Sequence, residues 1–262
     1  MLRPILITLA TFALLAFYKT SDAVHIHGDV LLTTADRIAY TVCHRLPTHS
    51  FEIFGRTLPL CARCSGIYLG IVWGFGYLAG VGRLRHASYP SRRVLFILAA
   101  LVLLMAVDGF NSLGHDMGLT TLYPPQNWLR LVTGMGLGIA IALIIAPTFA
   151  QTTWRDPIWN PPVATRRDAF ILSAGAIMLI LALLSGVSSI IYILALVSAA
   201  GVVLILMLLY AILVLLATRR DGQAARPSML AAPLLGGVLL ATAQIVGMAL
   251  LRFELTGTWI GF

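Results

Sequence analysis

Charged side chains are scarce in this sequence. Only 11% of its 262 residues are charged, whereas 59% are hydrophobic, and soluble domains carry about 25% charge. This composition excludes an ordinary water-soluble domain and predicts a protein embedded in a lipid bilayer. The net charge of +8 does not indicate a nucleic-acid partner, because the basic residues form short clusters between apolar segments. Such clusters are typical of anchors on the cytoplasmic side of a membrane.

Several sequence motifs are missing as well. The chain has no dinucleotide-binding glycine pattern, no phosphate-binding loop, no His-Glu-x-x-His and no Gly-x-Ser-x-Gly, so nucleotide-dependent and standard hydrolase functions have no motif to support them. We also find no internal repeat and no low-complexity segment. One membrane domain is the simplest organisation.

The apolar runs predict an all-α, polytopic transmembrane helical bundle of about seven spans. Residues 1–23 are either the first membrane span or a signal peptide, because a short apolar run precedes a small-residue sequence that resembles a cleavage site. With a signal peptide, six spans remain. The other six are expected at residues 62–81, 94–107, 128–145, 169–184, 189–217 and 230–251.

The chain divides into four predicted parts. Residues 1–23 are followed by an extracytoplasmic loop, residues 24–61, with an interfacial helix between Asp29 and Val42 that brings Cys43 to the membrane surface. Residues 62–150 hold spans two to four, and residues 151–262 hold spans five to seven. When the loop of residues 24–61, whose segment 43–61 we call the cysteine loop, faces outward, more basic residues lie on the inner loops than on the outer ones. The expected location is therefore a bacterial or archaeal cell membrane, with the cysteines on the extracytoplasmic side.

All three cysteines lie between residues 43 and 64. Cys61 and Cys64 are separated by two residues, a spacing that places both sulfurs on one tetrahedral metal ion. Cys43 and His44 lie far enough upstream to fold back, so the sequence predicts a zinc site of three cysteines and one histidine. His44 is alternatively a base or a hydrogen-bond donor. The other candidates for the fourth ligand are His49 and His115, and His25 with His27 form a separate His-x-His pair.

Polar residues from three neighbouring spans are expected beside the cysteines. Consecutive helices joined by short loops usually pack together, so the outer ends of spans two, three and four should enclose one pocket. Asp108 and Arg130 either pair with each other or act on a substrate. In the functional alternative, the catalytic candidates are Asp108 and His49, and an anionic group is bound by Arg130, Asn127 and Asn111.

Three functions remain open on these residues. The first is a zinc-dependent hydrolase or transferase that acts on a lipid or anionic head group. The second is a thiol–disulfide oxidoreductase, since Cys61 and Cys64 lie at a helix start that favours thiolates. Membrane oxidoreductases usually use a second cysteine pair as an electron relay, and here only Cys43 remains for that role. The third is a transport or binding protein braced by a structural zinc. The predicted partners are the bilayer and a lipid or anionic small molecule, with no nucleic acid.

The cysteine motif resembles a known family. Cys43-His44 and the run from Pro59 to Tyr68 match the signature of the polytopic membrane proteins called domain of unknown function 2085. Arg45 stands where that family usually has Gln, and Thr48-His49 replaces its Glu-Arg. The resemblance covers about residues 40–140 and also includes Asp108-Gly109, Asn127, Arg130, Thr133 and Gly134. It implies a membrane fold and suggests no activity.

Overall fold

The computed structural model of the chain describes residues 30–53 and 55–259. The predicted first span or signal peptide and the His25 and His27 pair lie outside these residues. Within them the structure is almost entirely helical, which confirms the predicted all-α bundle. The helices are α1 Val30–Tyr40, α2 Ala62–Gly80, α3 Arg92–Asp116, α4 Asn127–Thr153, α5 Arg166–Leu184, α6 Ser188–Ala217 and α7 Ala231–Thr256.

Five of these helices, α3 to α7, are long and apolar enough to cross a membrane. Helix α2, the predicted second span, has 19 residues and carries several glycines and aromatic side chains, which make it less apolar. It packs against α4, α5 and α6, so α2 lies among the helices that could cross a membrane. In the connection between α1 and α2, the prolines and the glycine from Pro47 to Pro59 predict an irregular loop. It contains a short 3-10 turn, Pro47–His49, and a hairpin of β1 Glu52–Ile53 with β2 Arg56–Thr57.

Glycines bring α2 and α4 into backbone contact. A Cβ added at Gly138 would lie 2.0 Å from the carbonyl oxygen of Ile67, and one added at Gly70 would lie 2.5 Å from that of Met135. Gly66 and Gly134 are equally confined. In the sequence, Gly66, Gly70 and Gly74 are spaced by four, as are Gly134 and Gly138. This spacing predicts that a second helix approaches closely, and the structure confirms it.

The outer helices bury less of their surface. Helix α3 packs mainly on α4, and its other face exposes large apolar side chains such as Phe96 and Phe110, as expected of a helix that faces lipid. Helices α6 and α7 pack together, and the Tyr210 hydroxyl donates to the Gln244 side chain across that contact at 2.6 Å. Gln244 therefore bonds between helices, which is the usual role of a lone polar residue in a span.

Helix α3 is longer than predicted. The sequence placed its end near Val107, before a polar turn, but the helix continues to Asp116. The Asn111 amide donates to the carbonyl oxygen of Tyr123, and its oxygen accepts from the backbone of Leu122. These bonds hold the following turn against the helix, so a polar stretch that resembles a loop folds as the last turns of α3.

The opposite end of the bundle is a set of connected loops. Ala87 and Ile158 share a backbone hydrogen bond, and Arg155 donates to the carbonyl oxygen of Ala224. Asp168, at the start of α5, accepts from the Arg83 guanidinium at 2.8 Å and from the Tyr77 hydroxyl at 2.6 Å. The described arginines that the sequence predicts on the cytoplasmic side, such as Arg83 and Arg155, are located at this end, away from the cysteines.

Candidate metal centre

Three sulfur atoms meet where α2 begins. Cys43 follows α1, Cys61 is the residue that caps the N-terminus of α2, and Cys64 lies in its first turn. Their sulfurs are all within 4.8 Å of one another. Cys43 and Cys61 are buried, and Cys64 is partly exposed. Zinc–sulfur bonds of about 2.3 Å in a tetrahedron place sulfurs roughly 3.8 Å apart, so a small contraction would fit this set to one zinc ion.

Hydrogen bonds to the sulfur of Cys43 favour its ionised form. The Cys61 and Cys64 thiols donate to its sulfur and lower the pKa of Cys43, and the backbone amides of Cys61 and Arg45 lower that pKa further. The Cys61 amide lies 3.3 Å from the sulfur. Arg45 adopts a left-handed φ of 58°, which costs an ordinary residue about 1 kcal/mol or more and accompanies the donation by its amide.

The pKa of Cys61 shifts in the opposite direction. Its hydrogen bond with Cys43 and its burial raise the pKa of the Cys61 thiol. Negative charge in the cluster is therefore favoured on Cys43 over Cys61. A metal ion would supply the positive charge that three ionised sulfurs require.

His44 does not belong to the sulfur group. The group that could hold an ion consists of Cys43, Cys61 and Cys64, and the His44 ring instead contacts His49, with 3.1 Å between Nε2 of His44 and Nδ1 of His49. Adjacent side chains diverge from the backbone, so Cys43 and His44 do not reach the same point. His115 is exposed in the last turn of α3 and is also outside the group.

His49 is buried between two polar partners. Its Nε2 lies 3.2 Å from a carboxylate oxygen of Asp116, and its Nδ1 faces His44. Burial lowers the pKa of His49, and the nearby Arg130 charge lowers it further. Both ring nitrogens are engaged, so this geometry leaves neither free for a metal ion. Asp116 was not among the residues selected from the sequence.

Asp108 is paired with a different arginine from the one expected. This carboxylate is 1% exposed and accepts from Arg63 at 2.6 Å and from the Tyr123 hydroxyl at 3.2 Å. Arg63, not Arg130, is therefore its ion-pair partner among the described residues. The Ser112 hydroxyl lies between the two arginines, 3.0 Å from Arg63 and 3.4 Å from Nε of Arg130.

The two asparagines hold loops in place. Asn127 donates to the carbonyl oxygens of Thr48 and Ser50, at 3.2 and 3.4 Å, and its own oxygen accepts from Arg130 at 2.8 Å. Asn111 holds the turn after α3, as described above. The structure thus brings the predicted polar residues of spans two, three and four to the cysteine end of the bundle.

Two further groups fix the cysteine loop. Asp36 of α1 forms ion pairs with Arg45, at 2.6 Å, and with Arg56. Arg252 of α7 donates to the carbonyl oxygen of Cys43 at 2.6 Å, and α6 contributes Val202 to the apolar side chains around the sulfurs. Arg252 was not among the site residues predicted from the sequence. Its position after a long apolar run gave no signal of this contact.

The comparisons with known proteins agree with this architecture. The family model described as predicted membrane protein, domain of unknown function 2085, matches residues 43–144, which include all three cysteines. An uncharacterised protein of Methanocaldococcus jannaschii is 33% identical over 114 residues, 44% of this chain and 67% of the relative. Another, of Methanothermobacter thermautotrophicus, is 37% identical over 103 residues, 39% of this chain and 83% of the relative.

No solved structure matches the chain. The matched region contains the cysteine loop and the helices that carry Asp108, Asn127 and Arg130. On its sequence, this protein belongs to the family of predicted membrane proteins known as domain of unknown function 2085.

Proposed function

We propose that this protein binds one zinc ion through Cys43, Cys61 and Cys64 at the extracytoplasmic face of the membrane. We further propose that the remaining coordination position serves hydrolysis or group transfer on a lipid or other anionic head group. The supporting observation is that three sulfurs lie within 4.8 Å of one another while His44 stands outside the set. Three protein ligands and an open position are typical of catalytic zinc, whereas four ligands close a structural site.

The donor set suits zinc. Thiolates are soft ligands that zinc prefers over carboxylates and carbonyls, and hydrogen bonds from the Cys61 and Cys64 thiols and from backbone amides lower the pKa of Cys43. When bound, zinc would polarise a substrate oxygen or activate a water molecule. The residues around the site would bind and orient the substrate.

Two arginines beside the cluster support an anionic substrate. Arg63 and Arg130 are both linked to Ser112, but Asp108 forms an ion pair with Arg63 alone among the described residues. The acceptors of Arg130 in that part of the chain are the neutral Asn127 and Ser112 oxygens. A buried guanidinium without a carboxylate partner is suited to bind a phosphate or carboxylate.

Cobalt substitution tests whether a position on the metal is open. Purified protein would be loaded with cobalt in place of zinc and titrated with azide while its visible absorption is recorded. We expect thiolate-bound tetrahedral cobalt whose spectrum changes as azide binds. A Cys61→Ser variant should lose the thiolate spectrum. A cobalt spectrum that azide does not alter at any concentration would contradict the proposed catalytic role.

A structural zinc is the second candidate. Cys43 and Cys61 are buried against residues of α1 and α6, including Ala39 and Val202, so a metal ion here would fasten the loop and α2 to two other helices. In that case azide would have no effect, and removal of the metal would lower the temperature of unfolding. Thiol trapping tests the redox alternative, because zinc-bound thiols stay reduced, whereas an oxidoreductase would show a Cys61–Cys64 disulfide in cells.

A further inference from the structure

We propose that Asp116 fixes the ring protons of a two-histidine chain, so that His44 presents an unprotonated Nδ1 as the hydrogen-bond acceptor of the site. In this assignment Nδ1 of His44 accepts a hydrogen bond from a water molecule or a substrate hydroxyl beside the cysteines, and His49 and Asp116 are positioning residues. The functional part of the assignment rests on the open metal position proposed above. The proton arrangement itself rests only on the contacts of these three side chains.

Two hydrogen bonds connect the three side chains of this histidine chain. An Asp116 carboxylate oxygen lies 3.2 Å from Nε2 of His49, and Nδ1 of His49 lies 3.1 Å from Nε2 of His44. An ionised carboxylate only accepts hydrogen bonds. The proton in the first bond therefore belongs to Nε2 of His49.

The second bond follows from the first. A neutral imidazole carries one N–H, and its other nitrogen is an acceptor. The neutral form of His49 is favoured because the side chain is buried and lies near the positive charge of Arg130. Its Nδ1 then accepts, and Nε2 of His44 must donate. In neutral His44 the lone pair is left on Nδ1, for which the described residues provide no hydrogen-bond partner.

Three elements hold this chain in place. His49 ends the short 3-10 turn of the cysteine loop, and that loop is tied to α4 by the Asn127 amide. Asp116 is the last residue of α3. Its side chain is 37% exposed and that of His49 is 9% exposed. The chain therefore links a water-facing carboxylate to the residue next to Cys43.

The arrangement gives the two histidines different roles. Both nitrogens of His49 are occupied, so His49 cannot receive a further hydrogen bond without losing one. Nδ1 of His44 can accept a hydrogen bond from a water molecule or a hydroxyl group. A carboxylate that sets the tautomer of a functional histidine is a common arrangement in metal sites.

Nitrogen NMR of zinc-loaded protein labelled with 15N-histidine tests the proton positions directly. The signals would be assigned with His44→Gln and His49→Gln variants. We expect the Nε2–H tautomer at both residues in the unchanged chain. A proton on Nδ1 of His44 in that protein would overturn the proposal.

Two substitutions test the role of Asp116. Asp116→Ala should convert the single tautomer of His49 and His44 into a mixture, whereas Asp116→Asn should retain it because the amide oxygen can still accept. Asp221→Ala, an exposed change at the other end of the bundle, is the matched control and should leave both signals unchanged. Unaltered His49 signals in Asp116→Ala would also refute the assignment. The azide titration is a separate readout, so failure of the open position and failure of the histidine chain are distinguishable.

Discussion

Replacement of Gly138 by alanine is expected to separate α2 from α4 and to destabilise the bundle. The new Cβ would lie 2.0 Å from the carbonyl oxygen of Ile67 and 2.9 Å from Cα of Gly70. Both are backbone atoms, so no side chain can rotate away to relieve the overlap. The two helices must move instead.

The expected cost follows from this overlap. Relief requires a shift of roughly 1 Å between the helices, and overpacking of a well-packed interior costs about 1–3 kcal/mol. Alanine recovers about 0.5–1 kcal/mol because it loses less backbone entropy than glycine when the helix forms. We therefore expect a net loss of about 1–2 kcal/mol in the free energy of unfolding.

The assay is reversible unfolding in mixed micelles, with a denaturing detergent as titrant and circular dichroism as the signal. Gly76→Ala is the matched control, because a Cβ at Gly76 in α2 meets no heavy atom within 4 Å. The control should be neutral or slightly stabilising. If Gly138→Ala proves as stable as Gly76→Ala, the backbone contact between α2 and α4 is not as described.

Three other predictions concern the cysteine end. Asp108→Asn should cost about 2–4 kcal/mol of stability, somewhat less than the loss of one partner of a fully buried pair, because it leaves the partly buried Arg63 without its counter-charge; adding Arg63→Leu should recover part of the loss, and strictly additive losses in a double-mutant cycle would contradict the pairing. Asn127→Ala should cost about 0.5–1.5 kcal/mol, the usual net value of a hydrogen bond, because the Thr48 and Ser50 carbonyl groups that it releases are within reach of water, and should speed hydrogen exchange in residues 46–51; unchanged exchange there would show that Asn127 does not hold the loop. Alkaline phosphatase fused after Thr258 should be active and one fused after Gly222 inactive, and the reverse pattern would place the cysteines in the cytoplasm.

The helical architecture was largely accessible from the sequence. The sixth apolar run was predicted from residue 189 to 217 and is observed as Ser188–Ala217, because an uninterrupted apolar segment has little alternative to a helix in lipid. The close approach at Gly70 and Gly138 was also predicted from spacing. The end of α3 was missed, because the residues after Val107 are polar and glycine-containing, and only tertiary contacts such as those of Asn111 keep them helical.

Side-chain partners were harder to predict. The convergence of Cys43 with Cys61 and Cys64 follows from the short loop between them. The pairing of Asp108 depends on the rotation of α2 about its axis, which points Arg63 toward α3, and no sequence pattern gives that angle. Asp116 was overlooked because its role depends on the 3-10 turn that brings His49 to the end of α3.

Metal analysis of the purified protein tests the zinc site most directly. The unchanged chain should retain about one equivalent of zinc through purification in mild detergent, and Cys43→Ser, Cys61→Ser and Cys64→Ser should each lose it while His115→Gln does not. Protein that is fully reduced and folded but carries no metal, or that carries the same metal after the cysteine substitutions, would contradict the proposed site.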